Sequence, residues 1–266
     1  MKNKVKNLLT GSFIYAGVDL VKYATGISLS KDKHHLLVAC MPKSGSTFLT
    51  RIISELPGFS NVALVPGYGH REQELDTLML LYWHRKNYVA QHHVRYSETL
   101  SQQITRFGLR PIVLVRNIYD IVISIKDHLR NESVVSPMGY VFPYMTAWDD
   151  AELEIFIANM ILPWYFNFYL SWLECENKLL IRYEKLRENP VHVVSTICEF
   201  YKLGLAKVDI ESAIEAAKSK NTRKNKGIAG RGLSLAPEAR EHIDKMASFY
   251  KGVDFSPIGI AHKQNA

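Results

Sequence analysis

The segment Leu36–Leu56 places the strongest constraint on the fold of this chain of 266 residues. It reads LLVACMPKSGSTFLTRIISEL, with an apolar run Leu36–Cys40, a short polar turn, and apolar residues at helical spacing from Phe48 onwards. This pattern predicts a strand, a tight loop and a helix. The first N–H groups of a helix and its dipole both point towards such a loop, so the junction is suited to bind an anion.

The side chains of this loop suit a tetrahedral oxyanion. Lys43 adds a positive charge, and Gly45 lets the backbone approach a ligand closely. Hydroxyl donors come from Ser44, Ser46 and Thr47. The nucleotide-triphosphate motif Gly-x-x-x-x-Gly-Lys-Ser/Thr does not fit, because the lysine precedes the glycine and no second glycine lies four or five positions upstream. The sequence therefore favours an anion other than ATP.

The order Pro-Lys-Ser-Gly-Ser-Thr, from Pro42 to Thr47, resembles the 5′-phosphosulfate-binding loop of sulfotransferases. Enzymes of that family use 3′-phosphoadenosine 5′-phosphosulfate (PAPS) as the sulfuryl donor. The resemblance implies that residues 43–47 hold the phosphosulfate and that Lys43 also serves the leaving group. No metal is required for this chemistry, and the sequence has no cluster with metal-ligand spacing.

A second segment, VLVRNIYDIVIS, lies where the strand Pro111–Val115 meets its following helix. Ligands of open parallel sheets gather at the carboxyl ends of the strands, so this junction should lie near the first loop. Arg116 and Ser124 could hold a second phosphate there, or could pair with a surface carboxylate and face solvent. The segment resembles the 3′-phosphate-binding segment of sulfotransferases, which assigns the phosphate to Arg116 and Ser124 and leaves Asp120 with a structural role.

Two further segments resemble the family. In IRYEKLRENP, Tyr183 is the residue that the resemblance places near the adenine, although Lys185 stands where an acidic residue is usual. The basic stretch Asn221–Gly232 resembles the loop that closes over the 3′-phosphate, which implies roles for Lys226 and Gly227. Asn225 replaces the expected arginine, and Arg223 could supply the missing charge.

An alcohol acceptor needs a base, and the candidates lie in Gln91-His92-His93. Side chains alternate along a strand, so we expect only one of His92 and His93 to face the cleft. The family's Lys-Thr-His segment favours His93. Other branches of the family use a glutamate, so Glu72 and Glu74 are the alternative bases.

Strands alternate with helices, which predicts an α/β domain with a central parallel sheet. The predicted strands are Leu36–Cys40, Tyr88–Val94, Pro111–Val115 and Lys178–Arg182. The predicted helices are Phe48–Leu56, Arg71–Lys86, Leu100–Phe107 with Gly108 as its C-cap, Ile118–Leu129, Ile155–Leu173, Val191–Leu203 after Asn189-Pro190, Lys207–Lys218 and Pro237–Tyr250. The resemblance implies the three-layer α/β/α, P-loop NTPase-like sulfotransferase fold. We expect one domain over residues 1–266, with a helical extension at 1–34 and a basic cofactor-covering loop at 221–232.

Two apolar stretches raise the question of a membrane. Asp19 and Lys22 interrupt the first one, so we expect no secretion signal but an amphipathic helix that packs on the domain or touches a membrane surface. The second, Ile155–Leu173, mixes polar and aromatic residues around Pro163, which favours a buried helix bent near that proline over a membrane span. Three cysteines without metal spacing are expected to be reduced core thiols of a cytoplasmic protein: Cys40, Cys175 and Cys198.

The formal net charge of +7 favours anionic ligands without separating nucleotide, nucleic acid and membrane surface. The leading interpretation is a PAPS-dependent sulfotransferase, for which we expect no nucleic-acid partner. The alternatives are a P-loop kinase and a basic nucleic-acid-binding module. The loop Asn131–Asp149 is long enough to bind the acceptor, and its aromatic surroundings mildly favour a carbohydrate or glycolipid hydroxyl over other small molecules.

Overall fold

The computed structural model describes residues 17–29, 33–65, 73–135, 138–219 and 229–261. Within these residues, five strands form one sheet in the order β2-β3-β1-β4-β5. Every neighbouring pair is parallel. The strands are β1 (His35–Cys40), β2 (Ser60–Asn61), β3 (Tyr88–His92), β4 (Leu109–Val115) and β5 (Leu179–Arg182). The predicted fold class is confirmed.

Helices cover both faces of this sheet. The first, α1, covers residues 17–24 of the part of the chain that the structure describes. The remaining α-helices are α2 (Ser46–Glu55), α3 (Thr77–Trp83), α4 (Glu98–Phe107), α5 (Ile118–Asn131), α6 (Asp150–Phe156), α7 (Leu162–Leu173), α8 (Tyr183–Glu188), α9 (Pro190–Tyr201), α10 (Lys207–Ser219) and α11 (Pro237–Ser248). Shorter 3-10 turns lie at Pro143–Ala147, Arg231–Ser234 and Ser256–Ile258.

Strand β1 lies at the centre of the three layers and is buried along its whole length. Its side chains alternate between the two faces, as a strand requires. Leu36 and Val38 pack with α2, α9 and α10, whereas Leu37 and Ala39 join the larger cluster formed with α3, α4, α5, α7 and α11. The chain adds β3 on one side of β1 and β4 on the other, and such a reversal of strand order opens a ligand crevice at the carboxyl ends of the strands.

Several helix boundaries follow the local signals in the sequence. Gly108 closes α4 with φ of 61°, in the left-handed region that glycine tolerates. Asn189 caps α9 by accepting a hydrogen bond from the His192 N–H, with Pro190 as the first helical residue. Both predictions are confirmed.

The apolar stretch around Pro163 is a buried helical run, as predicted. Helix α6 passes into a π-helical segment, Ile157–Ile161, and then into α7, where Pro163 lies in the first turn. Proline cannot donate the usual backbone hydrogen bond, and the wider π turn precedes the position where that bond is missing. Tyr165, Phe168 and Trp172 of α7 are fully buried. No helix in the described ranges has the length and apolar character needed to cross a membrane.

The prediction of a helix over Arg71–Lys86 is wrong in its first part, because Gln73–Asp76 is not helical and α3 begins at Thr77. Asp76 is the reason: its side chain accepts from the N–H groups of Leu78 and Met79 and so starts the helix there. Helix α8 and the two-residue edge strand β2 were not predicted. Residues 1–16, 30–32 and 220–228, which hold most of the predicted helical extension and basic loop, lie outside the described residues.

Candidate active site

The predicted anchors follow four strands that are neighbours in the sheet. His93 follows β3, the loop with Lys43 follows β1, Arg116 follows β4, and Tyr183 follows β5. Parallel strands end at the same edge of the sheet, so these residues converge on one crevice. In sequence they are far from one another, and Lys43 and Tyr183 are 140 positions apart.

The loop after β1 has an unusual backbone. Lys43 adopts a φ of 66° and Gly45 a φ of 80°, both left-handed. For a lysine this conformation costs roughly 1 kcal/mol, which the surrounding contacts must offset. The turn brings α2 to its start at Ser46, directly behind Gly45, with no side chain capping its first N–H groups. The N–H groups of Phe48 and Leu49 donate to the Gly45 carbonyl. Among the described residues, the N–H groups of Ser46 and Thr47 are therefore the ones at this helix start that are available to an anion.

The three hydroxyl groups of the loop have different surroundings. Ser44 is fully buried, and its hydroxyl donates to the Met41 carbonyl at 2.6 Å. Ser46 is also buried. Thr47 alone is exposed. The Ser44 hydroxyl therefore supports the shape of the loop, whereas that of Thr47 faces solvent.

Tyr183 packs directly against the loop. A Cβ on Gly45 would lie 2.6 Å from the ring carbons Cδ2 and Cε2 of Tyr183, so only glycine fits at this position. The same ring lies under the Arg116 guanidinium, whose central carbon is 4.4 Å from the ring centroid. Tyr183 therefore connects the loop to the second anchor through a cation–π contact.

Arg116 is buried and directed at the loop. It is 6% exposed, and its Nη1 donates to the Lys43 carbonyl at 2.9 Å. A second nitrogen of Arg116, Nη2, lies 3.7 Å from Oδ2 of Asp120. Asp120 and Ser124 are four residues apart on α5, so they lie on the same face of that helix. Ser124 is half-buried. The structure thus brings Arg116 against the anion loop and sets Ser124 on the adjoining helix face.

Asp120 also binds Gly230 and Gly232, two residues near the end of the basic stretch 221–232. It is 1% exposed, and its two carboxylate oxygens accept from the N–H groups of Gly230 at 2.9 Å and Gly232 at 2.7 Å. A Cβ on Gly232 would lie 2.5 Å from that of Tyr119, so glycine is required there. The predicted structural role of Asp120 is consistent with these bonds, but its partners were not predicted.

His93 is held in one orientation at the end of β3. Its Nδ1 donates to the Cys40 carbonyl at 2.8 Å, and its backbone N–H donates to Oε1 of Gln73 at 2.7 Å. With the proton on Nδ1, Nε2 carries the lone pair, as a general base requires. Burial lowers the pKa of His93 below its ordinary 6.5, and the hydrogen bond to the Cys40 carbonyl opposes this shift.

His92 points to the other face and has a structural role. It is 4% exposed, and its Nε2 accepts from the Leu64 N–H at 2.9 Å. Burial and the neighbouring His93 lower the pKa of His92 to about 4, so it is neutral near pH 7. Burial also raises the pKa of Cys40 to about 12, which excludes a thiolate nucleophile beside the loop.

The other predicted residues are less well connected. Glu74 is exposed, and no hydrogen bond or ion pair between described residues joins it to the loop. Its neighbour Gln73 makes the contact with His93 instead. Glu72, Arg223, Lys226 and Gly227 lie outside the described residues.

A cavity beside the loop was not predicted. It has a volume of about 370 Å³ and is lined by Phe48, Leu186, Arg187, Pro190 and Lys218. Phe48 follows Thr47 directly, so the sequence already placed an aromatic ring next to the anion loop, where it could line such a cavity. The remaining lining residues come from α8, α9 and α10, whose meeting point depends on the fold.

An exposed ladder of aromatic rings lies on the segment after α5. Ring contacts run from Tyr140 to Phe142, Tyr144, Trp148 and Phe156, with centroid distances of 5.0 to 6.3 Å. Tyr140 and Tyr144 are 77% and 62% exposed. We call Tyr140, Phe142, Tyr144 and Trp148 the aromatic loop.

The aromatic loop is packed onto the helix that also reaches the anion loop. Gly139 lies against Ile161, where a Cβ would come within 2.6 Å of the isoleucine side chain. One turn further along the helix, the Tyr165 hydroxyl donates to the Pro42 carbonyl at 3.5 Å. Gly139, which precedes Tyr140 of the aromatic loop, is therefore packed one helical turn from the residue that contacts the anion loop. Among the described residues, no group of three or more histidine, cysteine, aspartate or glutamate side chains could hold a metal ion.

Comparison with known proteins identifies the family. The protein-family model described as "Sulfotransferase domain" matches residues 33–253 of the sequence, so the chain belongs to the sulfotransferase domain family. Sulfotransferase 6B1 of Mus musculus is 27% identical over 191 residues, which cover 66% of this chain. The match spans 58% of that relative, less than two thirds of its length.

Two solved structures share the fold. Mouse sulfotransferase SULT7A1, complexed with PAP, superposes with a TM-score of 0.62 at 20% identity, covering 86% of this chain and 88% of its own. Retinol dehydratase, in complex with androsterone and inactive cofactor PAP, gives a TM-score of 0.53 at 13% identity, with 83% and 81% covered.

Proposed function

We propose that this protein transfers a sulfuryl group from PAPS to an acceptor hydroxyl. The observation that carries the proposal is the convergence of the Lys43–Thr47 loop, Arg116, Tyr183 and His93 at the carboxyl ends of four adjacent strands. Family membership and the PAP bound to SULT7A1 and retinol dehydratase support the same donor.

The residues present fit a nucleotide with two separate phosphates. The glycine-lined turn at Gly45 and the start of α2 would hold the 5′-phosphosulfate. Arg116 and Ser124 would hold the 3′-phosphate, and the sequence adds Arg223, Lys226 and Gly227. The cavity at Phe48 would take the adenine, since an aromatic ring beside apolar side chains suits a planar base. Tyr183 would border it from the loop side.

When bound, PAPS supplies an activated sulfuryl group with adenosine 3′,5′-bisphosphate as the leaving group. Sulfuryl transfer resembles phosphoryl transfer, in which positioning and charge stabilisation supply most of the rate. Lys43 and the first N–H groups of α2 would stabilise negative charge at the leaving oxygen. His93 would accept the acceptor's hydroxyl proton at Nε2, the nitrogen left unprotonated by the bond from Nδ1 to Cys40. Glu72 and Glu74 remain the alternative bases.

For the acceptor we infer a carbohydrate or glycolipid hydroxyl. The aromatic loop supports this inference, because exposed ring faces stack on the C–H faces of sugars and tyrosine hydroxyls can bond to sugar oxygens. A small apolar alcohol is the competing acceptor. We also propose a cytoplasmic location, since the three cysteines are buried free thiols.

Donor binding can be tested by thermal unfolding without magnesium. We expect adenosine 3′,5′-bisphosphate at about 100 times its Kd to stabilise the fold by ~2.7 kcal/mol. For a chain of this size that corresponds to a rise in Tm of roughly 5 °C or more. Greater stabilisation by magnesium-ATP, or by a nucleic acid, would contradict the proposal. Labelled PAPS would then be screened against sugars, glycolipids and apolar alcohols to identify the acceptor.

A further inference from the structure

Helices α1 and α3 expose apolar side chains on their outward faces. Val21 on α1 is 62% exposed, and Leu78 and Tyr82 on α3 are 66% and 69% exposed. The residues on the opposite sides of the same helices, Asp19 and Leu80, are buried. We define the α1/α3 face as Val18, Leu20, Val21, Leu78, Met79 and Tyr82.

The two helices are joined into one surface by a buried carboxylate. Asp19 is 4% exposed, and its Oδ2 lies 2.9 Å from Nε2 of His84 and accepts from Nε of Arg85 at 2.8 Å. Arg85 also donates from Nη2 to Oδ1, which makes the pair bidentate. Since Asp19 fixes the rotation of α1 against the end of α3, the outward apolar residues of both helices are presented together.

Two lysines, Lys22 and Lys86, are exposed at the rim of this face, and Nζ of Lys86 lies 5.2 Å from the Trp83 ring centroid. Arg85 is exposed there too, but its charge is paired with that of Asp19. At the start of α3, the Asp76 carboxylate accepts from the N–H groups of Leu78 and Met79. Apolar side chains flanked by lysines, with tyrosine and tryptophan beside them, are the combination that binds the interface of anionic membranes.

The aromatic loop is apolar and exposed too, but its charge is opposite. It is flanked in sequence by Glu132, Asp149 and Glu152, which are exposed. The basic residue bonded to this loop, Arg130, donates to the Trp148 carbonyl, and its charge is paired with that of Asp150. An anionic membrane would repel this region and attract the α1/α3 face. We propose that the α1/α3 face docks the protein on an anionic phospholipid surface.

Docking at the α1 side of this face leaves the crevice open. The His84 carbonyl, at the end of α3, lies 2.8 Å from Nε2 of His35 at the amino end of β1, whereas the candidate site lies at the carboxyl end. Helix α1 and the end of α3 are therefore at the opposite edge of the sheet from the site. The start of α3 is nearer to the site, because the Asp76 N–H donates to the carbonyl of Leu64, whose own N–H is bonded to His92. Val21 and Lys22 lie on α1, so substitutions there can change vesicle binding without changing sulfuryl transfer.

The test is cosedimentation of the full chain with vesicles of phosphatidylcholine alone or with phosphatidylserine. We expect binding only to the vesicles with phosphatidylserine, and a loss of binding at high salt. Val21→Glu should lower binding roughly tenfold. Val208→Glu is the matched control, because Val208 on α10 is 64% exposed and lies outside the face. Lys22→Ala should lower binding roughly fivefold, the usual contribution of one basic residue at such a surface.

Equal binding to both vesicle types, or equal loss in the Val21→Glu and Val208→Glu variants, would overturn the proposal. So would a dimer in solution that Val21→Glu dissociates, because a second copy would then be the occupant of the face. Far-UV circular dichroism of each variant shows whether the fold is retained. If Val21→Glu unfolds, Lys22→Ala decides the outcome, since Lys22 is exposed and its removal leaves the packing intact.

Discussion

The proposed donor half of the site, in which we include the base His93, and the proposed acceptor half are built in different ways. In the donor half, main-chain groups position the functional side chains: the Lys43 carbonyl accepts a hydrogen bond from Arg116, and the Cys40 carbonyl accepts one from His93. Helix α2 also begins there, directly after Gly45. On the acceptor side, solvent-exposed rings of Tyr140 and Tyr144 form the surface. Backbone geometry is fixed by the fold, whereas exposed side chains can change without altering it. We therefore expect variants of the donor half to have larger and more specific effects.

The largest effect is expected for Lys43. Lys43→Ala should lower kcat on the order of 10²–10³-fold, because one donor at a developing negative charge is typically worth about 3–4 kcal/mol. The measurement is the rate of sulfuryl transfer from labelled PAPS at saturating donor.

Lys202→Ala is a matched control for Lys43→Ala. Lys202 is the other described non-glycine residue with a positive φ, 56° against 66° at Lys43. Both variants place alanine in left-handed backbone, so they share the cost in stability but not the loss of charge at the site. If both lost transfer equally, backbone strain rather than the ammonium group would explain the result.

The next largest effect is expected for His93. His93→Ala should lower kcat on the order of 10²-fold, at the lower end of the usual contribution of a general base. His93→Asn should lose as much, because its amide can still donate to the Cys40 carbonyl but carries no basic nitrogen. Near-normal turnover of His93→Asn would show that the base lies elsewhere, and Glu72→Gln and Glu74→Gln would then be measured.

The pH profile gives a second test of His93. Its pKa is lowered from 6.5 by burial, so the base form persists below pH 6.5. We expect kcat/KM to be flat from pH 8 down to about 6.5, and to fall only at more acidic pH as Nε2 is protonated. An acidic limb centred above pH 6.5 would contradict the assignment.

A smaller effect, chiefly on donor binding, is expected for Arg116. Arg116→Ala should raise the KM for PAPS roughly thirtyfold, since a hydrogen bond from a charged group is typically worth ~2 kcal/mol. Arg110 at the other end of β4 is the control: it is half-buried and its guanidinium packs 3.9 Å from the Phe200 ring centroid. Arg110→Ala should destabilise the fold without changing that KM. A rise in KM in both variants would indicate a general loss of structure.

The same contrast explains what the sequence could predict. The strand–loop–helix at Leu36–Leu56 and the caps at Gly108 and Asn189 depend on neighbours in sequence, and they were predicted. The start of α3 was predicted wrongly because apolar residues at helical spacing occur on both sides of Asp76. The side chain of Asp76 caps the helix, so α3 begins only after this residue.

Long-range contacts of the site could not be predicted from local patterns. Asp120 bonds the N–H groups of Gly230 and Gly232, which are 110 and 112 residues away in sequence. The cavity at Phe48 likewise exists only because α8, α9 and α10 meet there. The donor loop was readable because its chemistry lies in one hexapeptide, whereas these partners are brought together by the parallel sheet.

The smallest effect is expected on the acceptor side, at Tyr144. Its ring is 62% exposed and stacks on Phe142 with an interplanar angle of 16°. Removing one stacking ring typically costs ~1 kcal/mol, so Tyr144→Ala should raise the KM for a sugar acceptor roughly fivefold and leave the KM for PAPS unchanged. Tyr82→Ala, on the α1/α3 face and 69% exposed, should change neither KM. If Tyr144→Ala instead lowered kcat as strongly as Lys43→Ala, the acceptor half would be as rigidly built as the donor half, and the distinction between them would fail.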